Sequence, residues 1–175
     1  MPLIGSPGPS EPDLRTILEI ACRVPDHEAL APWRFILYRD AGARKAGEVL
    51  AQIQEARNGP LNAAQREREL SRFSRCPLGI GVVSSPTESL KAPEWEQFLS
   101  AGAAALNLVH AATALGYAAN WVTGWYAGDA EAAAGLGARA GERFVGFVFI
   151  GTPRGDIPER ARPDWRALTS EFGAD

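Results

Sequence analysis

A long helix that is apolar on almost every side is the feature of this sequence that most constrains its fold. Residues 94–115 have helical periodicity, and Gly116 ends the pattern. Residues of one side are Phe98, Ala101, Ala105, Leu108, Val109 and Ala112, and apolar residues of the other are Leu99, Ala103, Leu106 and Ala111. A helix of this kind is covered on several sides. We therefore expect it to be the buried central helix of the fold and to contribute to an apolar interface between subunits.

Helical and strand-like segments alternate along the rest of the chain. A Ser10–Asp13 capping pattern starts a first helix, and Pro25 ends it. The predicted strands cover residues 34–39, 78–84, 117–123 and 144–150, and the other predicted helices cover 43–57, 62–74 and 129–136. This order predicts an α+β protein with mixed α/β layers and a small mixed sheet around the central helix. We expect one domain over residues 1–175, with an irregular arm at 1–12 and an extended tail at 154–175.

Composition and charge exclude several classes of function. The chain has 18 basic and 21 acidic residues, so nothing predicts the basic face of a nucleic-acid-binding protein. The apolar stretch at 101–115 is shorter than the roughly 20 residues that a membrane span needs. The first ten residues lack the pattern of a signal peptide. We expect a cytoplasmic protein whose two cysteines, Cys22 and Cys76, are reduced and mostly buried.

Familiar catalytic motifs are also missing from the sequence. His27 and His110 are the only histidines, which excludes a three-histidine zinc site, and no H-E-x-x-H, G-x-S-x-G or P-loop motif occurs. The glycines at 135, 137 and 141 imitate a dinucleotide fingerprint, but the third comes one residue late and the run follows a helix. We expect His110 to be a hydrogen-bonded core residue of the central helix.

The turn that contains Arg23 and His27 has both a functional and a purely structural interpretation. The two residues flank Pro25, where donor groups can converge on a bound anion or carbonyl. Arg23 also follows the end of a helix, where a cation is stabilised by the helix dipole without any ligand. Taken alone, the turn leaves both interpretations open.

Six weak motifs in a fixed order favour the functional interpretation. They are Pro25-Asp26-His27, Pro32-Trp33-Arg34-Phe35, Pro93-Glu94-Trp95-Glu96-Gln97, Ser100-Ala101-Gly102, Trp121-Val122-Thr123-Gly124, and Val145-Gly146-Phe147 with Ile150-Gly151-Thr152-Pro153. In this order and spacing, the chain resembles the nitroreductase family, and within it the YdjA-like subgroup. The resemblance covers roughly residues 13–153.

The resemblance implies an FMN-dependent oxidoreductase that takes a hydride from NAD(P)H and reduces a nitroaromatic compound, a quinone or a similar acceptor. It implies a homodimer with one flavin at each end of the subunit interface. By this resemblance, Arg23 and His27 bind FMN from the first turn, and Trp121, Val122 and Thr123 bind it from the end of a strand. No side chain is then required as a catalytic acid or base, because the cofactor carries the chemistry. Two alternatives are a flavin-storage dimer without reductase turnover and a degenerate member that has lost FMN.

One motif of the family is not found in this sequence. Members typically begin with a helix that ends in Arg-Arg-Ser and binds the FMN phosphate. A coding start upstream of Met1, the only methionine, is the explanation we favour, because the flavin-ring motifs are present. The alternative is that this protein has lost the helix that binds the FMN phosphate. Arg154, Arg160 and Arg162 are then the candidates for binding it. Under either explanation, the chain as given is expected to bind FMN weakly.

Overall fold

The computed structural model describes residues 3–156 and 159–173 and confirms the α+β class. The helices are α1 (Glu11–Ala21), α2 (Asp40–Asn58), α3 (Ala63–Ser74), α4 (Glu94–Ala114), α5 (Trp125–Gly128) and α6 (Ala130–Gly135). The strands are β1 (Ile4–Gly5), β2 (Trp33–Tyr38), β3 (Leu78–Ser84), β4 (Ala118–Val122) and β5 (Arg143–Pro153). The hydroxyl of Ser10 accepts a hydrogen bond from the backbone N–H of Asp13 at 3.2 Å and caps the start of α1, as predicted.

The five strands form one sheet around β5. Its order is β1-β5-β3-β2, and β4 also pairs with β5. Every pairing among the described residues is antiparallel, so the expected mixed sheet is wrong in this detail. The chain passes from β3 through α4 to β4, and these two strands run in the same direction. They do not pair because β5 lies between them, antiparallel to both.

Helices cover both faces of the sheet. Leu78, Ile80 and Val82 of β3 pack with α1 and α4 on one face. On the other face, Phe73 of α3 is fully buried at the centre of an aromatic cluster. The rings around it, with centroids between 4.6 and 5.7 Å away, belong to Tyr38, Tyr126, Phe147 and Phe149.

Glycine in β3 makes room for this aromatic cluster. A β-carbon at Gly81 would lie 2.8 Å from Cε1 of Phe144 and 3.0 Å from Cε2 of Tyr38. Because such contacts are shorter than packed carbon atoms tolerate, the large rings require a residue without a side chain here. The glycines that interrupt the apolar pattern of β3 are therefore part of the core packing.

Helix α4 is covered by the sheet and by α1 but has one exposed side, which corrects the expectation of a buried central helix. The sheet covers the side with Ala101, Ala105 and Leu108, and α1 packs along one flank. On the opposite side, Leu99 is 61% and Leu106 is 46% exposed. His110, predicted to be a core residue, is exposed, and so is Cys22, whereas Cys76 is buried as expected.

Both ends of the chain contain short structure where none was expected. Strand β1 lies in the segment predicted to be an irregular arm, and it pairs with the last two residues of β5. In the tail, residues Trp165–Leu168 form a 3-10 turn. None of the helices in the described ranges is both long and apolar enough to cross a membrane.

Candidate functional site

Polar side chains of α4 hold the turn that follows α1. The hydroxyl of Ser100 donates a hydrogen bond to the backbone carbonyl of Pro25 at 2.7 Å. Two turns further along the helix, Nδ2 of Asn107 donates to the carbonyl of Arg23 at 3.1 Å. The Arg23 side chain is exposed and forms no hydrogen bond or ion pair within the described ranges. The helix therefore fixes the backbone at Arg23 and leaves the guanidinium available to a ligand.

A third contact fixes His27, the other residue predicted in this turn. Its Nδ1 lies 2.8 Å from Oε2 of Glu96, in the first turn of α4. The His27 side chain is half exposed and faces a groove of about 330 Å³. The residues lining this groove are Pro25, His27, Glu96, Leu99, Ser100 and Ala103. The structure thus provides an open site beside His27 with polar and apolar walls.

The backbone immediately after His27 is strained. Glu28, Ala29 and Ala31 have φ angles of 64°, 54° and 47°, which residues with a side chain rarely adopt. The carboxylate of Asp26 accepts hydrogen bonds from the backbone N–H groups of Leu30 at 3.1 Å and of Ala31 at 2.8 Å. These bonds stabilise a conformation that the local sequence alone disfavours.

Glu28 ties the same loop to the segment before α4. Its carboxylate accepts a hydrogen bond from the hydroxyl of Ser89 at 2.7 Å and forms an ion pair with Lys91 at 3.1 Å. The bond from Ser89, and then the one from Lys91, lower the pKa of Glu28. The loop is therefore attached to the rest of the protein at Pro25, at His27 and at Glu28.

The second predicted segment lies at the end of β4. Trp121 is 38% exposed, Thr123 is exposed, and Val122 is partly buried against the aromatic core. A β-carbon built on Gly146 would lie 2.3 Å from Nε1 of Trp121, so the indole rests directly on this glycine of β5. Only glycine at position 146 allows the ring to lie so close to the strand.

Buried polar groups anchor the turn after this strand. Nε1 of Trp125, the first residue of α5, donates a hydrogen bond to Oε2 of Glu69 at 3.3 Å. The Glu69 carboxylate also pairs with Arg72. Burial alone would raise the pKa of Glu69, but the hydrogen bonds and the positive charge of Arg72 outweigh it and lower that pKa. Helix α3 thereby holds Trp125, at the start of the helix that follows the strand end.

The two predicted segments do not meet within one protomer. Trp121, Val122 and Thr123 are not among the residues that line the groove at His27. Alternation along β4 places Ala119 and Trp121 on the face of the sheet that carries α4. In the sheet order, β4 lies at one side of β5, whereas β2 lies at the other, beyond β3. The turn that lines the groove leads directly into β2, so the groove and the strand end lie towards opposite edges of the sheet that α4 covers.

The three arginines considered for a phosphate site lie elsewhere. A β-carbon on Gly5 would collide with the Arg154 side chain, which therefore covers strand β1. Arg162 forms an ion pair with Glu159 at 3.1 Å and donates a hydrogen bond to the carbonyl of Arg160 at 2.9 Å. None of the three lines the groove at His27.

The sequence motifs include Glu96 and Ser100, but they do not reveal that these residues, with Asn107, hold the turn at Arg23 and His27. Glu96, Ser100 and Asn107 recur at helical spacing on one stripe of a helix that is otherwise mainly apolar. A polar stripe on such a helix is a signal that the sequence offers. The stripe does not identify the turn as its partner, because the groups that it bonds lie about 70–85 residues away and are mainly backbone carbonyls.

Comparison with known proteins shows the family of this chain. The Nitroreductase family model matches residues 5–152. The YdjA protein of Escherichia coli (strain K12), which is named as an NAD(P)H nitroreductase, is 32% identical over 151 residues, 86% of this chain and 81% of YdjA.

Solved structures share the fold. A nitroreductase-like protein from Bacillus cereus superposes with a TM-score of 0.79 at 20% identity, covering 99% of this chain and 91% of that one. A nitroreductase with bound FMN from Bacteroides fragilis NCTC 9343 has a TM-score of 0.68 at 23% identity, covering 94% and 89%. The chain described here belongs to the nitroreductase family.

Proposed function

We propose that the protein is an FMN-dependent oxidoreductase that passes a hydride from NAD(P)H to an electron-poor small molecule such as a nitroaromatic compound or a quinone. Membership of the family supports the reaction class, and the relative from Bacteroides fragilis with bound FMN supports the cofactor. The name of YdjA supports NAD(P)H as the hydride donor. The observation that carries the proposal is the turn held by α4: the Arg23 guanidinium has no partner in the described ranges, and the half-exposed His27 ring lines an open groove.

The residues present fit the chemistry of a flavin. A flavin mononucleotide has a pyrimidine edge with carbonyl and imide groups, a flat ring and an anionic phosphate. Arg23 is a cation without a partner in the part of the chain that the structure describes, and His27 has a half-exposed ring. Trp121 offers a partly exposed aromatic surface. Arg23 and His27 thus match the polar edge, and Trp121 to Thr123 match the ring.

Each of these residues has a distinct role in the proposed reaction. Bound FMN supplies the hydride transfer itself. Arg23 stabilises negative charge at the pyrimidine edge, which favours the reduced form of the cofactor. Trp121 excludes water from the ring, and the small Thr123 allows the backbone to approach it. No side chain of this chain has to act as an acid or base.

The proposal includes a homodimer. Trp95, Leu99 and Leu106 are large apolar residues on the uncovered side of α4, and each is at least 46% exposed. Burying such a surface against a second copy stabilises association. The groove and the strand end lie towards opposite edges of the sheet that α4 covers. We propose that the dimer combines the groove of one protomer with the strand end of its partner. Each dimer would then hold two flavins.

The spectrum of the reconstituted protein tests this function. In a titration with FMN, we expect a saturable change in the flavin absorbance bands, and we expect the bands of the bound flavin to bleach anaerobically with NADH or NADPH. Addition of a quinone or nitroaromatic compound should restore them. Absence of any saturable FMN binding would contradict the proposal. Binding without bleaching by either nicotinamide would favour the flavin-storage alternative. Cytoplasmic location and the role of Arg154, Arg160 and Arg162 at the phosphate stay predictions.

A further inference from the structure

The contact between His27 and Glu96 determines which nitrogen of the imidazole carries a proton. Their closest atoms, Nδ1 and Oε2, are 2.8 Å apart, a normal hydrogen-bond distance. An ionised carboxylate only accepts hydrogen bonds, so the proton of this bond lies on Nδ1. In a neutral imidazole the other nitrogen, Nε2, is then an acceptor.

Both partners are held in place independently of each other. Glu96 lies in the first turn of α4, where a negative charge is stabilised by the helix dipole. On the other side, the Ser100 hydroxyl fixes the carbonyl of Pro25, two residues before His27. The strained residues Glu28 and Ala29 follow directly. Neither the helix nor the turn needs the His27–Glu96 bond for its own hydrogen bonding, which suggests a role beyond folding.

The Nε2 nitrogen of His27 is a hydrogen-bond acceptor beside the proposed flavin site. His27 lines the groove, and Nε2 makes no hydrogen bond with residues 3–156 or 159–173. The pyrimidine edge of a flavin presents an imide N–H between two carbonyl groups, and this N–H needs an acceptor. We propose that Glu96 is a positioning residue that fixes the His27 proton on Nδ1 and presents Nε2 as the acceptor for the flavin imide. The inference rests on the proposed function for the ligand, but the tautomer itself is a property of the free protein.

Nitrogen NMR of the free protein tests the tautomer without any cofactor. His110 is the only other histidine, so a His110→Asn variant assigns the two rings. At a pH of about 8.5, well above the usual imidazole pKa, we expect the His27 proton on Nδ1. Glu96→Ala should move it to Nε2, the tautomer that imidazole favours in water. Glu94→Ala, a matched change in the same helical turn, should leave it on Nδ1; the Glu94 carboxylate pairs with Arg143 at 3.4 Å.

Flavin affinity tests whether the tautomer matters for binding. Glu96→Ala should weaken FMN binding about tenfold, which corresponds to about 1.4 kcal/mol, and Glu96→Gln, which keeps an acceptor oxygen, should recover part of the loss. In a His27→Ala background, Glu96→Ala should have no further effect, because the two residues act through one contact. An unchanged tautomer in Glu96→Ala, or an equal loss of affinity with and without His27, would overturn the inference. If the wild-type protein bound no FMN, the proposed function would fail, and the tautomer measurement would still decide whether Glu96 positions His27.

Discussion

The indole of Trp121 lies against the backbone of Gly146 on the neighbouring strand. Gly146 has a φ of 153°, and a β-carbon there would lie 2.3 Å from the indole Nε1 and 2.9 Å from the carbonyl oxygen of Val122. The position of the ring therefore depends on the absence of a side chain on β5. This relationship connects the packing of the sheet to the proposed flavin site.

Gly146→Ala is expected to displace Trp121 and weaken FMN binding at least tenfold. The new methyl group has no space beneath the ring, and the strained φ adds on the order of 1–2 kcal/mol of destabilisation. Tryptophan fluorescence and an FMN titration measure the two effects. Gly42→Ala is the control, because a β-carbon there meets nothing within 4 Å. An unchanged affinity in Gly146→Ala would show that Trp121 does not contact the flavin.

Arg23→Ala is expected to weaken FMN binding by on the order of 1.5–3 kcal/mol, because it removes a hydrogen bond from a charged group. His27→Ala is expected to weaken it by about 0.5–1.5 kcal/mol, because the bond proposed between Nε2 and the flavin imide involves no charged group. Isothermal titration with FMN measures the loss. Arg15→Ala removes an exposed arginine of α1 that does not line the groove at His27, and it should have no effect. An unchanged dissociation constant in both site variants would remove this turn from the site.

Leu106→Arg is expected to dissociate the proposed homodimer. Leu106 lies on the uncovered side of α4 but does not line the groove at His27, so the change separates association from groove chemistry. Burying an unpaired charge at an interface is costly, and we expect at least a hundredfold weaker association. Sedimentation velocity measures it, with Leu90→Arg in a fully exposed loop as the control. A wild-type monomer at micromolar concentration would contradict the dimer itself.

Glu142 is expected to make stability depend on acid pH. The hydrogen bonds from Arg34 lower the pKa of Glu142 to about 2, although burial opposes them. A carboxyl group with a lowered folded-state pKa stabilises the protein above its unfolded pKa of roughly 4.3 and loses this contribution as pH falls towards 2. Glu142→Gln should lower the unfolding free energy at neutral pH by on the order of 2 kcal/mol and flatten its decline in that window.

Urea unfolding at several pH values measures the effect of Glu142. Glu67→Gln is the matched control, since its carboxylate is exposed and forms no hydrogen bond or ion pair in the described ranges. Equal pH dependence in the Glu142 variant and the wild type would show that the pair with Arg34 does not contribute to acid stability.

The sequence predicted where the helices and strands lie better than it predicted how they pack together. Local patterns such as the Ser10 cap and the apolar run of β3 locate helices and strands to within a few residues. They do not show which strand lies between β3 and β4, because pairing depends on contacts across the whole chain. Helix α4 is apolar nearly all round, yet the pattern could not show that Leu99 and Leu106 remain exposed in the protomer.

The site was predictable only in part. The motifs around His27 and Trp121 identified two segments, but the sequence could not show that they lie towards opposite edges of the sheet that α4 covers. The role of Glu96 depends on a contact across 69 residues, which no local pattern reveals. The strained backbone at Glu28 and Ala29 was equally hidden, since neither residue type favours a positive φ.

Mixing two defective variants tests the central claim that one flavin site is shared between protomers. One chain would carry Arg23→Ala with His27→Ala, and the other Trp121→Ala with Thr123→Ala. Neither homodimer should retain FMN. In a mixed dimer, a shared site predicts that one of the two sites contains only wild-type residues, so flavin absorbance should return to about one FMN per mixed dimer. If each site were built within a single protomer, both sites of the mixed dimer would be defective, and the absence of any restored flavin would contradict the account.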